Sequence, residues 1–397
     1  MNILITGAAG FIGKNLIHWL KQSYPDANLL CCDIDNSNEL PQYARQADFV
    51  YHLAGVNRPQ NPSQFTTGNI SLTEELLQYC KEGKRPPILF TSTAQATLDN
   101  AYGISKKAAE DAVRAYGNDT KQRVYGNDIK QQVYIYRLPG VFGKWCRPNY
   151  NSVVATFCHN IANDLPIEVR DPAFELSLVY IDDVCRCFIG VLKGHRNKTY
   201  VADRADKADK TGTSDEFCYV EPIHTITLGQ LADTLTKFQQ GRDDLHVPVT
   251  SNVLKRKLHS TYLSYLTDFS YSIRTHADER GSFSELIKTP HSGQVSVNIT
   301  KPGFTKGNHW HHTKAEKFIT VSGKGIIRFR KIGDNTVTEY PVSGGNITVV
   351  DIPPGYTHSL TNIGTDDLIT IMWANEIYDP TNPDTFFEPV LLKEVNN

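Results

Sequence analysis

The sequence lacks two features that define large classes of protein. No apolar run approaches the ~18–20 residues of a membrane-spanning helix, so we predict no membrane segment. Positive and negative residues nearly balance, at 41 and 43, without a basic stripe, so nucleic acid is not an expected partner. The chain opens at Met1 directly on a strand-like run, with no charged or cleavable apolar segment, which predicts a cytoplasmic location.

The eight cysteines also lack the spacing of a zinc ribbon or of a disulfide framework. We predict buried, reduced thiols, in keeping with a cytoplasmic location. The chain is long enough for more than one domain. Its 397 residues exceed the roughly 250–300 at which a single hydrophobic core stops growing. Two domains are therefore expected.

The first half of the chain alternates short β runs with helical periodicity. Helix patterns occupy residues 11–22 and 72–81, and the second ends shortly before Gly83. The strand-like runs are residues 3–6, 29–32, 49–53, 88–91 and 133–137. Such alternation indicates βαβ units, and therefore an α/β Rossmann-type domain with a parallel sheet.

From about residue 293 the pattern changes to short β runs separated by glycine- and proline-rich turns. Few helical stretches interrupt these runs, so we predict an all-β barrel or sandwich. Residues 225–278 are polar with helical periodicity, and they are expected to complete the first domain. The predicted domains are residues 1–285 and residues 286–397.

Two short segments have the character of insertions. Residues 116–124 (YGNDTKQRV) are repeated almost unchanged as residues 125–133 (YGNDIKQQV), and residues 203–215 are densely charged. One nine-residue duplication is too short for a repeat architecture. We predict a surface extension and a mobile loop, and we expect neither segment to carry chemistry.

A glycine-rich turn follows the first predicted strand. Gly7, Gly10 and Gly13 have the spacing GxxGxxG and lie between a strand and a helix. Glycines allow the backbone to turn tightly and to approach a pyrophosphate, whose charge is stabilised at the helix N-terminus. We therefore predict a dinucleotide site, which also includes Phe11 and Ile12 at the start of the helix.

A second motif, YGISK at residues 102–106, places a tyrosine and a lysine on one face of a helix. The Lys106 ammonium is expected to lower the pKa of the Tyr102 phenol. The phenol could then exchange a proton with a substrate oxygen while a nicotinamide exchanges a hydride. Ser92 and Thr93 end the preceding strand, where a hydroxyl could bind the same oxygen. The alternative interpretation is an exposed amphipathic helix with no chemistry.

These motifs resemble the extended short-chain dehydrogenase/reductase family of nucleotide-sugar epimerases, dehydratases and reductases. The resemblance covers about residues 1–270. The motifs that carry it include ITGAAGFIG at residues 5–13, HLAG at 52–55, YGISK at 102–106, RLP at 137–139 and VYIDD at 179–183.

The resemblance implies roles for individual residues. Tyr102 would be the general acid/base, Lys106 would also hold the nicotinamide ribose, and the Thr93 hydroxyl would orient the substrate. Only eight residues separate Thr93 from Tyr102, fewer than in typical members, so Ser92 stays an alternative to Thr93. Beside the dinucleotide, after the third strand, the residues expected are Leu53, Ala54 and Gly55.

The choice between the two nicotinamide dinucleotides is open. Asp33 ends the second predicted strand, where an acidic side chain usually binds the ribose 2′-OH and favours NAD. No arginine that could bind a 2′-phosphate stands beside it. The residues therefore favour NADH, whereas the resemblance of the whole chain, described below, implies NADPH.

A different set of chemical groups lies in the β-rich part. His309 and His311 point to the same face of a strand, and Glu316 and His358 can close a site from neighbouring strands. Three imidazoles and a carboxylate suit Zn, Fe, Mn or Ni, and not Mg or Ca. The four residues stand in two glycine- and proline-rich frames that resemble both motifs of the cupin family. That resemblance covers about residues 290–390 and implies a small double-stranded barrel. Of the metals that suit the four ligands, zinc is the one we expect.

Taken together, the two parts resemble bifunctional enzymes of capsular polysaccharide synthesis that fuse a nucleotide-sugar reductase to a cupin. Stretches such as FGKWCRPNYNSV and KGNHWHHTK carry this resemblance. It implies that the cupin inverts C3 of a UDP-linked 4-keto-6-deoxy-N-acetyl sugar. The first domain would then reduce the C4 ketone with NADPH, giving a 6-deoxy-talose-type precursor of UDP-N-acetyl-L-fucosamine. A homodimer is the expected assembly.

Other functions compete with this one. The first domain could be an epimerase or a dehydratase, joined to a cupin that only dimerises the chain or senses a ligand. Ala94 and Gln95 follow Thr93 where dehydratases place an acidic pair, which argues against dehydration. The cupin could instead be an iron-dependent dioxygenase. The metal itself could be catalytic or could only stiffen the barrel.

Overall fold

A computed structural model of the protein describes residues 1–119, 123–124, 127–128, 132–195, 199–201, 216–249 and 251–392. Part of the repeated segment and all of residues 203–215 lie outside these ranges. The chain forms two compact units, which we call unit 1 and unit 2. Unit 1 is Met1–Leu235 with Lys257–Leu266, and unit 2 is Thr236–Arg256 with Thr267–Asn397.

Unit 1 is built on a parallel sheet. The strands in this part of the chain are β1 (Asn2–Thr6), β2 (Asn28–Cys32), β3 (Phe49–His52), β4 (Ile88–Thr93), β5 (Arg123–Val124), β6 (Asn127–Asp128), β7 (Val133–Leu138), β8 (Gly140–Phe142), β9 (Glu175–Tyr180), β10 (Thr199–Val201), β11 (Glu216–Cys218) and β12 (His224–Thr227). Seven of them form one sheet in the order β10-β11-β7-β4-β3-β1-β2, in which only β10 and β11 pair antiparallel. Strands β12, β9 and β8 form a smaller sheet.

Helices connect these strands as the alternating pattern predicted. They are α1 (Phe11–Ser23), α2 (Leu40–Gln46), α3 (Ser63–Phe65), α4 (Leu72–Glu82), α5 (Ala101–Asn118), α6 (Val153–Ala162), α7 (Ile181–Leu192), α8 (Leu228–Asp244) and α9 (Val253–Leu263). Within the described residues, no helix combines the length and the apolar character needed to cross a membrane. The eight cysteines all lie in described residues and form no disulfide, and six of them are buried.

The sheet of unit 1 is covered on both faces, which explains why its strands are continuous apolar runs. Ile3 and Ile5 on β1 belong to a core that contains residues of α1 and α7. Leu4, which points to the other face, belongs to a second core with residues of α2, α4 and α5. All three side chains are completely buried. The predicted α/β Rossmann-type domain is confirmed.

Unit 2 is mainly antiparallel β structure. Its strands are β13 (Thr275–Asp278), β14 (Gly281–Thr289), β15 (Gly293–Thr300), β16 (Thr305–Trp310), β17 (Glu316–Ser322), β18 (Lys324–Lys331), β19 (Val337–Ser343), β20 (Val349–Ile352), β21 (Tyr356–Asn362), β22 (Leu368–Ala374) and β23 (Phe386–Phe387). One sheet has the order β13-β14-β15-β22-β17-β20, and the other has the order β19-β18-β21-β16-β23. Apolar side chains such as Phe318, Ile327 and Leu360 form its core. The predicted all-β second part is confirmed.

The division between the units differs from the predicted one. A boundary between residues 285 and 286 would fall inside β14, which pairs with β15 from Gly281 to Thr289. Unit 2 therefore begins earlier in the chain, and it also includes residues 236–256. The sequence GSFSELIKT of β14 lacks a strict alternation of apolar and polar residues, so no clear strand pattern marked it.

The glycine at the start of α1 gives a test of the close packing between helix and strand. An added Cβ at Gly13 would lie 2.2 Å from the Gly7 carbonyl oxygen and 2.8 Å from that of Ala8. We expect Gly13→Ala to lower the free energy of unfolding by ~1–3 kcal/mol, because backbone must shift. The measurement is urea unfolding of the full chain, followed by circular dichroism.

The matched control is Gly190→Ala in α7, where the nearest atom to an added Cβ is the Cβ of His195 at 3.8 Å. Alanine replaces a flexible helical glycine there, so stability should stay the same or rise by roughly 0.5–1 kcal/mol. Equal effects of the two substitutions would contradict the assignment of Gly13 to a close-approach position.

Candidate functional site

The predicted dinucleotide residues lie together at the carboxyl ends of β1 and β3. Gly7 has φ +69°, and a Cβ there would lie 2.8 Å from the backbone nitrogen of Ala54. Leu53 donates its N–H to the Thr6 carbonyl at 3.2 Å, which joins the two strand ends. In the sheet, β1 lies between β2 and β3. The chain therefore runs from β1 to its neighbour on one side, and the following strand, β3, lies on the other side. In parallel sheets, such a reversal of strand order forms the crevice that binds dinucleotides.

The first turn of α1 is suited to a phosphate. Gly10 is the N-cap residue, no side chain caps the helix, and no acidic residue stands in its first turn. The free N–H groups of that turn, which begins with Phe11 and Ile12, therefore remain available to an anion. Asp33 borders the same turn, because its Oδ2 accepts the Ala9 N–H at 2.7 Å and its Oδ1 accepts the Ile34 N–H at 2.9 Å.

Asn69 connects the loop after β3 to the helix that carries Tyr102, and no motif in the sequence had marked it. Its side chain accepts the Val56 N–H at 2.8 Å and donates to the Val56 carbonyl at 2.9 Å and to the Ser105 hydroxyl at 2.9 Å. A Cβ on Gly55 would lie 2.9 Å from Asn69 Oδ1 and 3.6 Å from Lys106 Nζ. The position of Gly55 thus requires the smallest side chain.

Lys106 is buried beneath this loop. Its ammonium donates to the Thr91 carbonyl at 2.8 Å and lies 4.3 Å from the centre of the Phe90 ring. Burial lowers the pKa of Lys106 to about 8, and the charge of Glu110 opposes that shift. A buried amine with a lowered pKa is typical of functional positions.

Tyr102 behaves differently from the expectation. Burial raises the pKa of its phenol, and the Thr93 side chain opposes the rise. The predicted lowering of this pKa by Lys106 is wrong for the structure, because Lys106 is directed to the Thr91 carbonyl. The phenol is therefore protonated at neutral pH, as a general acid must be at the start of a reduction.

The structure shows different contacts for Ser92 and Thr93, which the sequence alone could not distinguish. Ser92 donates its hydroxyl to the buried Glu110 carboxylate at 2.5 Å, and Glu110 also pairs with Arg137 at 2.8 Å. Successive residues of a strand point to opposite faces. Thr93 therefore faces away from this pair, and its hydroxyl acts on Tyr102. Of the two hydroxyls, that of Thr93 therefore lies beside Tyr102, whereas that of Ser92 is engaged by Glu110.

The four predicted metal ligands also come together, at one end of the barrel in unit 2. One nitrogen or oxygen atom of each residue lies within 4.8 Å of the others in the set His309, His311, Glu316 and His358. His309 stands directly opposite His358 across β16 and β21. Glu316 begins β17 in the other sheet. A β-bulge at Gly307–Asn308, with φ of +98° and +59°, sets the direction of His309.

The polar atoms of this cluster fit a metal ion. Buried atoms without a hydrogen-bond partner include Nε2 of His311, Oε2 of Glu316 and both ring nitrogens of His358. The Nε2 atoms of His311 and His358 each lie 3.4 Å from Oε2 of Glu316, too far for a good hydrogen bond. Buried polar groups are rarely left unsatisfied, and a shared cation would satisfy them together.

The protonation states of the clustered side chains are also suited to a metal ion. Burial and the neighbouring His358 lower the pKa of His309 to about 3, so its imidazole is neutral. Burial alone would raise the pKa of Glu316, but His311 and His358 lower it well below its ordinary value. Neutral imidazole and ionised carboxylate are the forms that bind metals. The set of three imidazoles and one carboxylate is suited to a transition metal such as zinc.

A cavity of about 520 Å³ opens beside the cluster, and His309, Glu316 and His358 form part of its wall. Its other polar lining residues are His276, Asp278, Arg280, Asn298, Lys306 and Thr385. A cavity of this volume has the size of a small-molecule site. The cluster thus borders space that a substrate could enter.

Comparisons with known proteins agree with this arrangement. Residues 3–202 match the NAD dependent epimerase/dehydratase family, and residues 276–386 match the polysaccharide biosynthesis C-terminal domain. The chain belongs to the NAD dependent epimerase/dehydratase family. A nicotinamide dinucleotide is the cofactor that this membership assigns to unit 1.

Individual relatives extend the likeness to the full length. The chain is 42% identical over 389 residues to the UDP-2-acetamido-2,6-beta-L-arabino-hexul-4-ose reductase of Pseudomonas aeruginosa, covering 97% of this chain and 98% of the relative. The crystal structure of the capsular polysaccharide assembling protein CapF from Staphylococcus aureus is 46% identical, with a TM-score of 0.86 over 98% of this chain and all of that chain. These likenesses confirm the resemblance inferred from the sequence.

A more distant likeness concerns the fold alone. The UDP-glucuronic acid 4-epimerase of Bacillus cereus is 18% identical, with a TM-score of 0.51 over 67% of this chain and 99% of that chain. It supports the Rossmann-type architecture of unit 1 and says nothing of its substrate.

The buried Lys106 predicts a pH dependence of stability. Below about pH 8 both folded and unfolded chains bind the proton, and the full cost of burying the charge is present. Between about pH 8 and pH 10.5 only the unfolded chain binds it, so folding becomes more favourable as pH rises. The free energy of unfolding of the wild type, relative to Lys106→Met, should therefore rise by up to ~3 kcal/mol across this range.

Urea unfolding at several pH values measures this difference. The control is Lys107→Met, which removes a positive charge from the exposed side of the same helix. A difference between wild type and Lys106→Met that stays constant with pH, or falls, would show that Lys106 is not buried as an ammonium.

Proposed function

We propose that the chain is a bifunctional nucleotide-sugar enzyme of surface polysaccharide synthesis. Unit 2 inverts C3 of a UDP-linked 4-keto-6-deoxy-N-acetyl sugar, and unit 1 reduces its C4 ketone with a nicotinamide dinucleotide. The single observation that supports this best is that one chain contains both the Tyr102–Lys106 pair beside a dinucleotide turn in unit 1 and the cluster of four possible metal ligands in unit 2. The two full-length relatives described above, a UDP-keto-sugar reductase and a capsular polysaccharide assembling protein, are in keeping with it.

The reduction uses residues of unit 1. The Thr93 hydroxyl would bind the C4 oxygen, and the Tyr102 phenol would donate its proton to that oxygen as hydride arrives at the carbon. Lys106 would hold the nicotinamide ribose, and the turn from Gly7 to Gly13 would bind the pyrophosphate. The product of this transfer would be an alcohol at C4.

NADPH is the cofactor that we propose. Asp33 does not argue strongly against a 2′-phosphate, because each of its carboxylate oxygens already accepts a backbone N–H. These bonds compensate part of the charge that would repel the phosphate. A comparison of kcat/KM for NADPH and NADH decides between the two cofactors.

The epimerisation would take place in the cavity beside the cluster in unit 2. A ketone at C4 acidifies the C3 proton, so a base can remove it through an enolate and the proton can return on the opposite face. A transition metal held by the cluster would stabilise negative charge on a nearby oxygen. Zinc is the proposed metal, because the donor set suits it. A cupin barrel, a homodimer and a cytoplasmic location complete the proposal.

We assign the proton transfer to His276, by elimination among the groups of the cavity. Lys306 donates to three oxygens, those of Ser282, Asn298 and Ile299, at 2.9–3.1 Å, so its ammonium is already engaged. Asp278 pairs with Arg280 at 2.6 Å. Within the described residues His276 makes no such contact, and its imidazole can both accept and donate a proton.

The alternative, a cupin that is only structural or sensing, is less well supported. The cluster borders a cavity of about 520 Å³, which has the size of a small-molecule site and would place a substrate beside the metal. Dehydration in unit 1 is also disfavoured, because Ala94 and Gln95 follow Thr93 on the short helix after β4.

The reductase assignment predicts a clear order of effects. Tyr102→Phe should lower the rate of NADPH oxidation with the keto sugar by ~10²–10⁴-fold, because the proton donor is lost. Thr93→Ala should lower it by roughly 10²-fold, and Thr93→Ser should restore most of the rate. Ser92→Ala is the matched control, and it should reduce stability and leave the rate near the wild-type value. A Tyr102→Phe enzyme with wild-type turnover would refute the assignment.

The epimerase assignment predicts exchange that needs no dinucleotide. Full-length Tyr102→Phe, incubated with the keto sugar in deuterium oxide without NADPH, should still exchange the C3 proton with solvent. His276→Asn should lose the exchange and keep its zinc, and His358→Ala should lose both. Proton NMR and elemental analysis measure the two quantities. Exchange that survives in His276→Asn would move the base elsewhere, and exchange absent from every protein would favour the structural or sensing cupin.

A further inference from the structure

The C-terminal strap, defined as residues 384–390, runs along strand β16, which carries the metal ligand His309 and ends one residue before His311. Its short strand β23 pairs with β16, with Phe387 opposite His309 and Phe386 opposite Trp310. Two further bonds continue this pairing on Asn308. The Glu388 N–H donates to its carbonyl at 2.9 Å, and the Val390 N–H donates to its side-chain oxygen at 3.1 Å.

Asp384, at the start of the strap, contacts the metal-ligand segment directly. Its carbonyl accepts a hydrogen bond from Nδ1 of His311 at 2.5 Å. A proton at Nδ1 leaves Nε2 of His311 with a free lone pair, and this is the atom that faces Glu316. Metal-binding histidines commonly donate their second ring N–H in this way, which fixes tautomer and orientation.

The carboxylate of Asp384 fixes the backbone that follows His311. It accepts the N–H groups of His312, Thr313 and Lys314 at 2.9–3.0 Å, together with the Thr313 hydroxyl at 3.0 Å. Asp384 has φ +33°, a left-handed conformation that aspartate adopts more readily than most residues. One residue thus holds both the ring of His311 and the turn between His311 and Glu316.

Arg330 on β18 fastens the other end of the strap. Its guanidinium is almost completely buried, and it donates to the Val390 carbonyl at 3.0 Å, to the Pro389 carbonyl at 2.8 Å and to the Glu388 carboxylate at 2.7 Å. Burying a guanidinium is costly unless its donors are satisfied, and here most of them are directed to the strap. The strap is therefore held at both ends.

We propose that the strap is a positioning device for the metal cluster, in which Asp384 sets the tautomer and orientation of His311 and Arg330 keeps the strap in place. Asp384 is a positioning residue, because it acts through His311. The inference rests on the proposed metal site. Linkage requires the effect to be reciprocal, so a bound metal must stabilise the strap by the same factor that the strap strengthens metal binding.

The test measures zinc binding by the full-length chain in competition with a chromogenic chelator. Asp384→Gly removes the carboxylate and tolerates the left-handed backbone, and it should weaken zinc binding by ~10–100-fold. Asp384→Asn keeps one acceptor oxygen and should weaken binding less. Asp379→Gly is the matched control and should bind zinc as the wild type does. Among the described residues, Asp379 accepts hydrogen bonds only from Thr381 and Asn382.

A second measurement uses the reciprocal effect. Zinc should slow proteolysis of the strap in the wild type and do so much less in Asp384→Gly or in Arg330→Met. Wild-type zinc affinity in Asp384→Gly would overturn the inference and leave the metal site standing. A wild-type chain that binds no zinc would overturn the metal site as well. The C3 exchange of the wild-type chain is measured separately. A wild-type chain that binds zinc and exchanges the C3 proton, while Asp384→Gly keeps wild-type zinc affinity, shows a failure of the strap inference and not of the proposed epimerase.

Discussion

A buried carboxylate needs compensation, and each unit of this protein is organised around one. In unit 1 the carboxylate is Glu110, which is completely buried and receives two hydrogen bonds from Arg137, at 2.9 and 2.8 Å, and a third from Ser92. Removing one partner of such a pair typically costs about 3–5 kcal/mol. Because Tyr102, Lys106 and Glu110 are spaced by four residues on α5, this pair also fixes where the other two lie on the sheet.

The buried carboxylate of unit 2 is Glu316, and its compensation is incomplete. It faces imidazoles of His311 and His358 at distances of 3.4 Å, and its inner oxygen has no hydrogen-bond partner. Glu110 shows that the same chain can satisfy a buried carboxylate fully with its own side chains. The contrast supports the proposal that a transition metal, held by the four ligands, would compensate Glu316.

Much of both candidate sites could be predicted from the sequence, because many of their residues lie close together along the chain. The GxxGxxG turn, the Tyr102–Lys106 pair and the His309–His311 pair are local, so fixed geometry of helix and strand places their members together. Glu316 and His358 come from other strands, and they could be included only because the flanking glycine and proline frames resemble the cupin motifs.

What could not be predicted depends on contacts between distant segments. Asp384 stands 73 residues from His311, in a stretch with no strand or helix periodicity, and nothing in its local sequence marks it as a partner of the cluster. The choice between Ser92 and Thr93 also depended on a contact between separate elements, because it required knowing which face of β4 packs against α5. The pKa of Tyr102 was predicted in the wrong direction, since the spacing revealed Lys106 but not its bond to the Thr91 carbonyl.

The proposed chemistry also explains why two such sites would occur in one chain. The C4 ketone is what makes the C3 proton acidic, and it is also the group that unit 1 reduces. Reduction therefore ends any further inversion at C3, so inversion must come first. An equilibrium between the two C3 epimers alone would leave a mixture. Hydride transfer to one of them is effectively irreversible in the presence of excess NADPH, and it draws the mixture toward a single product.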